Sequence, residues 1–310
     1  MDFLRALASV RTPALNAFFL AVTYIGDELA FMALALLLFW CVDKRTGYYV
    51  FTVGLFGTIG NQFLKILCRI PRPWVLDPAF TIVEAARAGA AGYSFPSGHT
   101  QNAVGTFGAV GLLAKRKWVR YVCFALVLAV PFSRMYLGVH TPLDVGVAFL
   151  MAAALLAVFY PIFRSEEKTK KTLAYLLLAG VAAAAAFVFY VQNIRADFAP
   201  GSEDASNLSH AVKTAWTLLG AIAGLLTVFL VDTRTVNFDT RAPLLGQSLK
   251  FILGMAIVAG VKAALKPAFY ALFPAGPADC LRYFLVILLA GCVWPRTFPF
   301  FAKLGKKKEA

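Results

Sequence analysis

Nine apolar runs of roughly membrane length are the first constraint on this chain, because about 20 mostly apolar residues cross a bilayer as a helix and lipid-exposed irregular backbone cannot. They fall at about 15–42, 48–70, 99–114, 118–136, 143–163, 172–191, 212–231, 249–273 and 281–301. The first is interrupted at Gly26, Asp27 and Glu28, where a break is expected. With 60% hydrophobic and 15% charged residues among 310, and a mean hydropathy of +0.72, the chain has more apolar surface than a soluble domain of this length buries. The expected fold is all-α: a polytopic integral membrane helix bundle of about nine transmembrane helices.

A formal charge of +14 would fit nucleic acid if it lay along one polar face, but the basic residues sit in short clusters between apolar runs. No nucleic-acid partner is expected. By the positive-inside rule the linkers at 43–46, 115–117 with Arg120, 164–171, 232–247 and 303–308 face the cytoplasm. The linkers at 71–98, 133–144, 192–209 and 274–279 then face outward. Residues 1–11 lack the apolar core and small-residue site of a cleavable signal peptide, and their apolar side chains would line a short interfacial helix. Cys41, Cys68, Cys123, Cys280 and Cys292 are odd in number and scattered, and read as inert buried thiols. The charged run RSEEKTKK at 164–171 separates residues 1–165, which hold every reactive stretch, from a four-helix segment at 166–310.

Three outward stretches carry the chemistry. In SRMYLGVHTPLD (133–144), Thr141 and Pro142 read as a helix N-cap and first helical residue, so His140 precedes a helix and Asp144 falls in its first turn. A His held by an Asp has one ring nitrogen fixed and the other free as nucleophile or base. The same residues also read as a capping box with His140 on the surface. In KILCRIPRP (65–73), Lys65, Arg69 and Arg72 gather where the positive-inside rule disfavours them, which either a bound anion or snorkelling cations would explain. In FPSGHT (95–100), Ser97, Gly98 and His99 stand at a helix entrance whose free N–H groups favour phosphate; a plain serine cap beside an interfacial His is the alternative. Taken together, Lys65, Arg72, Arg134, Ser97, two histidines and one aspartate suit a phosphoryl group. Cations and amides neutralise its oxygens, one His attacks phosphorus and the other protonates the leaving oxygen. No metal or other cofactor is expected, since no carboxylate cluster would hold Mg²⁺.

The spacing Lys65, six residues, Arg72-Pro73; then Pro96-Ser97-Gly98-His99; then Ser133-Arg134, five residues, His140, three residues, Asp144 resembles the three-part signature of the type-2 phosphatidic acid phosphatase superfamily of membrane phosphatases. The resemblance covers about 65–144. It implies that His140 is the nucleophile forming a phosphohistidine, that Asp144 orients it, and that His99 is the acid for the leaving group and then activates water. It also implies that Lys65, Arg72, Ser97, Gly98 and Arg134 bind the phosphoryl oxygens. The nine-run layout is similar to the glucose-6-phosphatase and sphingosine-phosphate phosphatase branches, although layout does not fix substrate.

The expected function is metal-independent removal of the terminal phosphate from a lipid phosphate or isoprenyl diphosphate. Its site would lie at the extracytoplasmic ends of the first five helices, in the plasma membrane, with membrane lipids as partners. Hydrolysis of a soluble ester such as a sugar phosphate, transfer to an acceptor other than water, and anion transport are the alternatives. Beyond the motifs, Asn61 and Gln62 either orient Lys65 or bond neighbouring helices. Trp74, Tyr93 and Phe95 are expected in an interfacial aromatic belt, and Lys262 and Lys266 are expected to snorkel.

Overall fold

A computed structural model describes residues 1–194, 198–199 and 201–304, and every regular element among them is helical. Residues 195–197 and 200 of the outward linker, and 305–308 of the basic tail, lie outside the described residues. The helices run α1 (Asp2–Ser9), α2 (Pro13–Tyr24), α3 (Glu28–Leu37), α4 (Lys44–Cys68), the single turn α5 (Pro73–Leu76), α6 (Gly98–Leu113), α7 (Lys117–Tyr136), α8 (Pro142–Phe163), α9 (Glu166–Asn193), α10 (Glu203–Val231), α11 (Leu244–Leu272) and α12 (Ala275–Leu288). Among the described residues, seven helical stretches are long and apolar enough to cross a membrane. An eighth is counted if α2 and the α3 stretch, bent 49° apart, form one span. That bend falls at the polar break around Asp27, whose carboxylate accepts the Glu28 N–H.

The expected ninth span is the exception. α6 has 16 residues, a rise of about 24 Å at 1.5 Å per residue against a hydrocarbon core of about 30 Å. It begins after the polar Ser97 cap and ends at Leu113, with Ala114 as its C-cap before the basic cluster, so neither end extends it.

The chain divides into two compact units. One contains Met1–Met32, Thr52–Pro161 and Ile194–Ala211; the other contains Ala33–Phe51, Ile162–Asn193 and Val212–Ala310. In the first, α7 is packed by α1, α2 and α6. α1 buries Leu4 in a cluster with Phe80, Ile82, Tyr136, Leu137 and Val139, so its apolar face meets protein. Arg11 ties the start of the chain to the end of α7, donating to the carbonyls of Tyr136 and Thr81. Past α7 the backbone turns back on itself, with Val139 N–H on the Arg134 carbonyl and Gly138 at φ +81°, which a side chain rarely adopts. This turn carries His140 from the end of α7 to the start of α8. Gly26 is needed for a different reason: a Cβ there would lie 2.6 Å from Val130 and 3.2 Å from the His99 carbonyl.

In the second unit, Lys44 pairs with buried Asp232 at 2.9 Å, and the Tyr48 hydroxyl donates to the same carboxylate. α10 and α12 approach so closely that a Cβ on Gly220 would lie 2.0 Å from the Cys280 carbonyl oxygen. Lys262 lies over the Tyr283 ring at 5.2 Å, so it packs on protein where a snorkelling end was expected. All five cysteines are free, but only Cys123 and Cys292 are buried; Cys68 is exposed and Cys41 and Cys280 are half-buried. For Cys41 and Cys280 hydrocarbon can surround a thiol as well as protein does, whereas Cys68 stands at the end of α4.

Candidate active site

Every residue proposed for the site lies in the first unit, on the ends of α4, α6, α7 and α8 and the loops that join them. Lys65, Arg72, Arg134, His140 and Asp144 each keep 6% or less of their surface exposed. Three cations are thus buried with a single expected carboxylate, Asp144. Burying an ion costs several kcal/mol unless it is paired and hydrogen-bonded, so this surplus of positive charge is a standing attraction for an anion.

The His–Asp reading and the capping-box reading, alternatives in the sequence, hold together. Asp144 Oδ2 accepts the Thr141 N–H at 2.7 Å, and Thr141 Oγ1 accepts the Asp144 N–H at 3.3 Å. The same Oδ2 lies 3.5 Å from His140 Nδ1. One carboxylate therefore starts α8 and faces the imidazole, a consequence of an i, i+4 spacing that begins one residue before the cap. Arg72 Nη1 lies 2.9 Å from Nε2 and 3.5 Å from Nδ1, against the face of the ring. A carboxylate only accepts, so the ring proton belongs on Nδ1, facing Asp144 Oδ2, and the lone pair on Nε2. Burial, then the charges of Arg72, Arg134 and Lys65 and the neighbouring His99, hold the His140 imidazole well below its ordinary pKa. It stays neutral, with its lone pair on Nε2.

Backbone carbonyls occupy the cations. Arg72 donates to Gly92, Ala91 and Val139; Arg134 donates to the Thr23 hydroxyl at 2.8 Å and the Gly89 carbonyl at 3.3 Å. Lys65 Nζ donates to the carbonyls of Tyr93 and Ser94. Residues 89–94 therefore lie along all three cations. A Cβ on Gly89 would also be 3.9 Å from His99 Nε2, which brings the second imidazole to the same loop.

Ser97 is the N-cap of α6, its hydroxyl oxygen accepting from the Thr100 N–H and hydroxyl, so its oxygen performs the plain capping role. Its own N–H donates to the Asp144 carbonyl at 3.1 Å, tying the start of α6 to the start of α8. At Gly98 a Cβ would meet nothing within 4 Å, so open space adjoins the amides at this helix entrance. Arg69 is exposed at φ +51° and stays outside the cluster. Asn61 donates to the Pro96 carbonyl at 3.3 Å, supporting the PSGH segment.

Two participants were not among the expected site residues. Ser94, fully buried, donates to Asp144 Oδ2 at 2.6 Å and lies 3.4 Å from His140 Nδ1. Nothing in a lone serine three residues before Ser97 distinguishes it from a turn residue. Tyr93, expected at the lipid interface, is buried, and its hydroxyl donates to Asp204 at 2.5 Å. Trp74 lies 5.9 Å from the Arg72 guanidinium and 4.9 Å from that of Arg87, stacking on cations.

Models of known families match two parts of the chain: the PAP2 superfamily over residues 45–168, and the PAP2 superfamily phosphatase transmembrane extension over 216–307. Sphingosine-1-phosphate phosphatase 1 of Rattus norvegicus is 27% identical over 183 residues, 56% of this chain and 42% of the relative. Undecaprenyl-diphosphatase BcrC of Bacillus subtilis is 27% identical over 132 residues, covering 41% and 65% of the two chains. Phosphatidylglycerophosphatase B of Bacillus subtilis is 27% identical over 183 residues, covering 54% and 83%. The chain spans less than half the length of the sphingosine-1-phosphate phosphatase it matches. No solved structure matches it. All three motif stretches fall inside the first matched region and the two regions together cover more than half of the sequence, so this integral membrane protein belongs to the PAP2 superfamily.

Proposed function

We propose that this protein is a metal-independent membrane phosphatase that removes the terminal phosphate from a lipid phosphate or lipid diphosphate at the extracytoplasmic face of the plasma membrane. The observation that carries the reading is a neutral His140 whose Nδ1 faces Asp144, set among three buried cations. Such a pocket favours an anion carrying more than one negative charge. The names of the relatives supply the substrate class, since sphingosine-1-phosphate, undecaprenyl diphosphate and phosphatidylglycerophosphate are lipid phosphates or diphosphates.

In the proposed reaction, Lys65, Arg72 and Arg134, with the hydroxyl of Ser97 and the amide of Gly98, bind the phosphoryl oxygens. Arg72 moves its donor from the face of the His140 ring to the phosphate, and the Nε2 lone pair is left open to phosphorus. Nε2 attacks phosphorus as the P–O bond to the leaving group breaks, and His99, protonated once the negative charge of the bound phosphate offsets the three cations, gives that oxygen its proton. Asp144 stabilises the positive charge on the imidazole by facing Nδ1–H. His99 then takes a proton from water, which attacks the phosphohistidine, breaks the P–N bond and releases inorganic phosphate. Residues 1–165 are the proposed phosphatase core, with 166–310 as an additional membrane segment.

The test is phosphate release by purified protein from phosphatidate, an isoprenyl diphosphate and a water-soluble sugar phosphate. Turnover of the lipids should survive EDTA, be blocked by orthovanadate and disappear in His140→Ala. Full activity in that variant would remove the nucleophile, and preferential turnover of the sugar phosphate would replace the lipid substrate class.

A further inference from the structure

Asp204 lies outside both matched regions, yet it belongs to the unit that contains the candidate site. It stands in the first turn of α10, and its Oδ1 accepts the Tyr93 hydroxyl at 2.5 Å. Hydrogen bonds to an ionised acceptor are about twice as strong as neutral ones. Burial, with Asp204 beside it, pushes the Tyr93 phenol up to about 12, so it remains a donor throughout the physiological range. Asn207, one turn further along α10, lies beside the same phenol. A second contact brings the same connection to the end of α4: the Arg69 guanidinium lies 5.3 Å from the Phe198 ring centroid.

The main chain at Tyr93 and Ser94 gives this anchor its reach. The carbonyls of both residues accept from Lys65 Nζ, and the Ser94 hydroxyl donates to Asp144. An ammonium has three donors, so two fixed carbonyl contacts leave the third to be aimed. The Ser94 bond holds the carboxylate that faces His140. Two consecutive residues thus connect the start of α10 both to a phosphate-binding cation and to the group that orients the nucleophile. We infer that Asp204 is a positioning residue: by holding the Tyr93 hydroxyl it sets the Tyr93–Ser94 main chain, and through it the placement of Lys65 and Asp144.

The inference rests on the proposed function only for its kinetic readout. In wild type, Asp204→Ala, Tyr93→Phe, the double variant and Asp204→Asn, kcat and KM are measured on the lipid substrate turned over best. Each of the first two variants should lower kcat about tenfold with a smaller change in KM, and the double variant should lose no more than either single one. Asp204→Asn retains an oxygen that accepts from the phenol and should recover most of the activity. Additive losses, unchanged kcat, or an Asn variant as poor as Ala would overturn the tether while leaving the phosphatase reading intact. If wild type hydrolyses none of the substrates, the functional reading falls and amide hydrogen exchange over residues 89–94 decides the tether. Faster exchange in Asp204→Ala supports it, and unchanged exchange refutes it.

Discussion

At the scale of single residues, one carboxylate oxygen carries three duties. Asp144 Oδ2 takes the Thr141 N–H and the Ser94 hydroxyl and faces His140 Nδ1. Asp144→Asn keeps the side chain's shape but can present an N–H to Nδ1, favouring the wrong tautomer. Its kcat is expected to fall by about 10³-fold or more, the order seen when a His-orienting carboxylate is neutralised. Ser94→Ala should cost only about 1 kcal/mol of transition-state stabilisation, near fivefold in kcat, because Thr141 still holds the oxygen. Equal losses in the two variants would show that Ser94 does more than support Asp144. The neutral state of His140 also predicts a pH effect on stability. Unfolded His140 takes up a proton near its ordinary value of 6.5, whereas the folded imidazole, held well below it, does not. Stability from this group is therefore present above that value and lost as pH falls below it. His140→Asn should flatten the dependence of Tm on pH between about 7 and 5.

Among the elements, what is legible in the sequence is what local rules control. The polar interruption at Gly26–Glu28 is a bend, the serine before Gly98 is a cap, and Thr141-Pro142 opens a helix. Signals that depend on distant partners are not legible. Tyr93 reads as an interfacial aromatic because its acceptor, Asp204, lies 111 positions away. Composition marks α6 as a span because residues 99–114 are apolar, yet 16 residues, in that run as in the helix Gly98–Leu113, fall short of the about 20 that a span needs. Close approach at Gly26 gives a prediction for the bend: Gly26→Val would drive its side chain into Val130 and the His99 carbonyl. Overpacking of this kind costs about 1–3 kcal/mol. It should therefore lower Tm and, by moving His99, lower kcat in the protein that remains folded, as a thermal melt and a steady-state assay at low temperature would reveal.

For the whole molecule, hydropathy suffices for the fold class and the three motifs for the family, whereas the division into units is not readable from either. Residues Ile194–Ala211, outward linker and helix start by sequence, belong to the unit of the catalytic motifs. No pattern at 166–310 signals such a role, since it rests on one tyrosine–aspartate bond. The proposed outward orientation makes a prediction through Cys68, a free exposed thiol ending α4 a few residues before Arg72. In intact cells a membrane-impermeant maleimide should label it, whereas Glu167→Cys in the basic linker should react only after permeabilisation. The reverse pattern would turn the site to the cytoplasm.

The account depends most on a covalent bond between His140 Nε2 and phosphorus. Rapid quenching of purified protein turning over a substrate labelled in its terminal phosphate reads that bond directly. Base-stable, acid-labile label should appear on the wild-type protein, accumulate in His99→Ala, where hydrolysis of the intermediate is slowed, and be absent from His140→Ala. Label of this kind on His140→Ala, or none on His99→Ala when its substrate is being consumed, would contradict the mechanism.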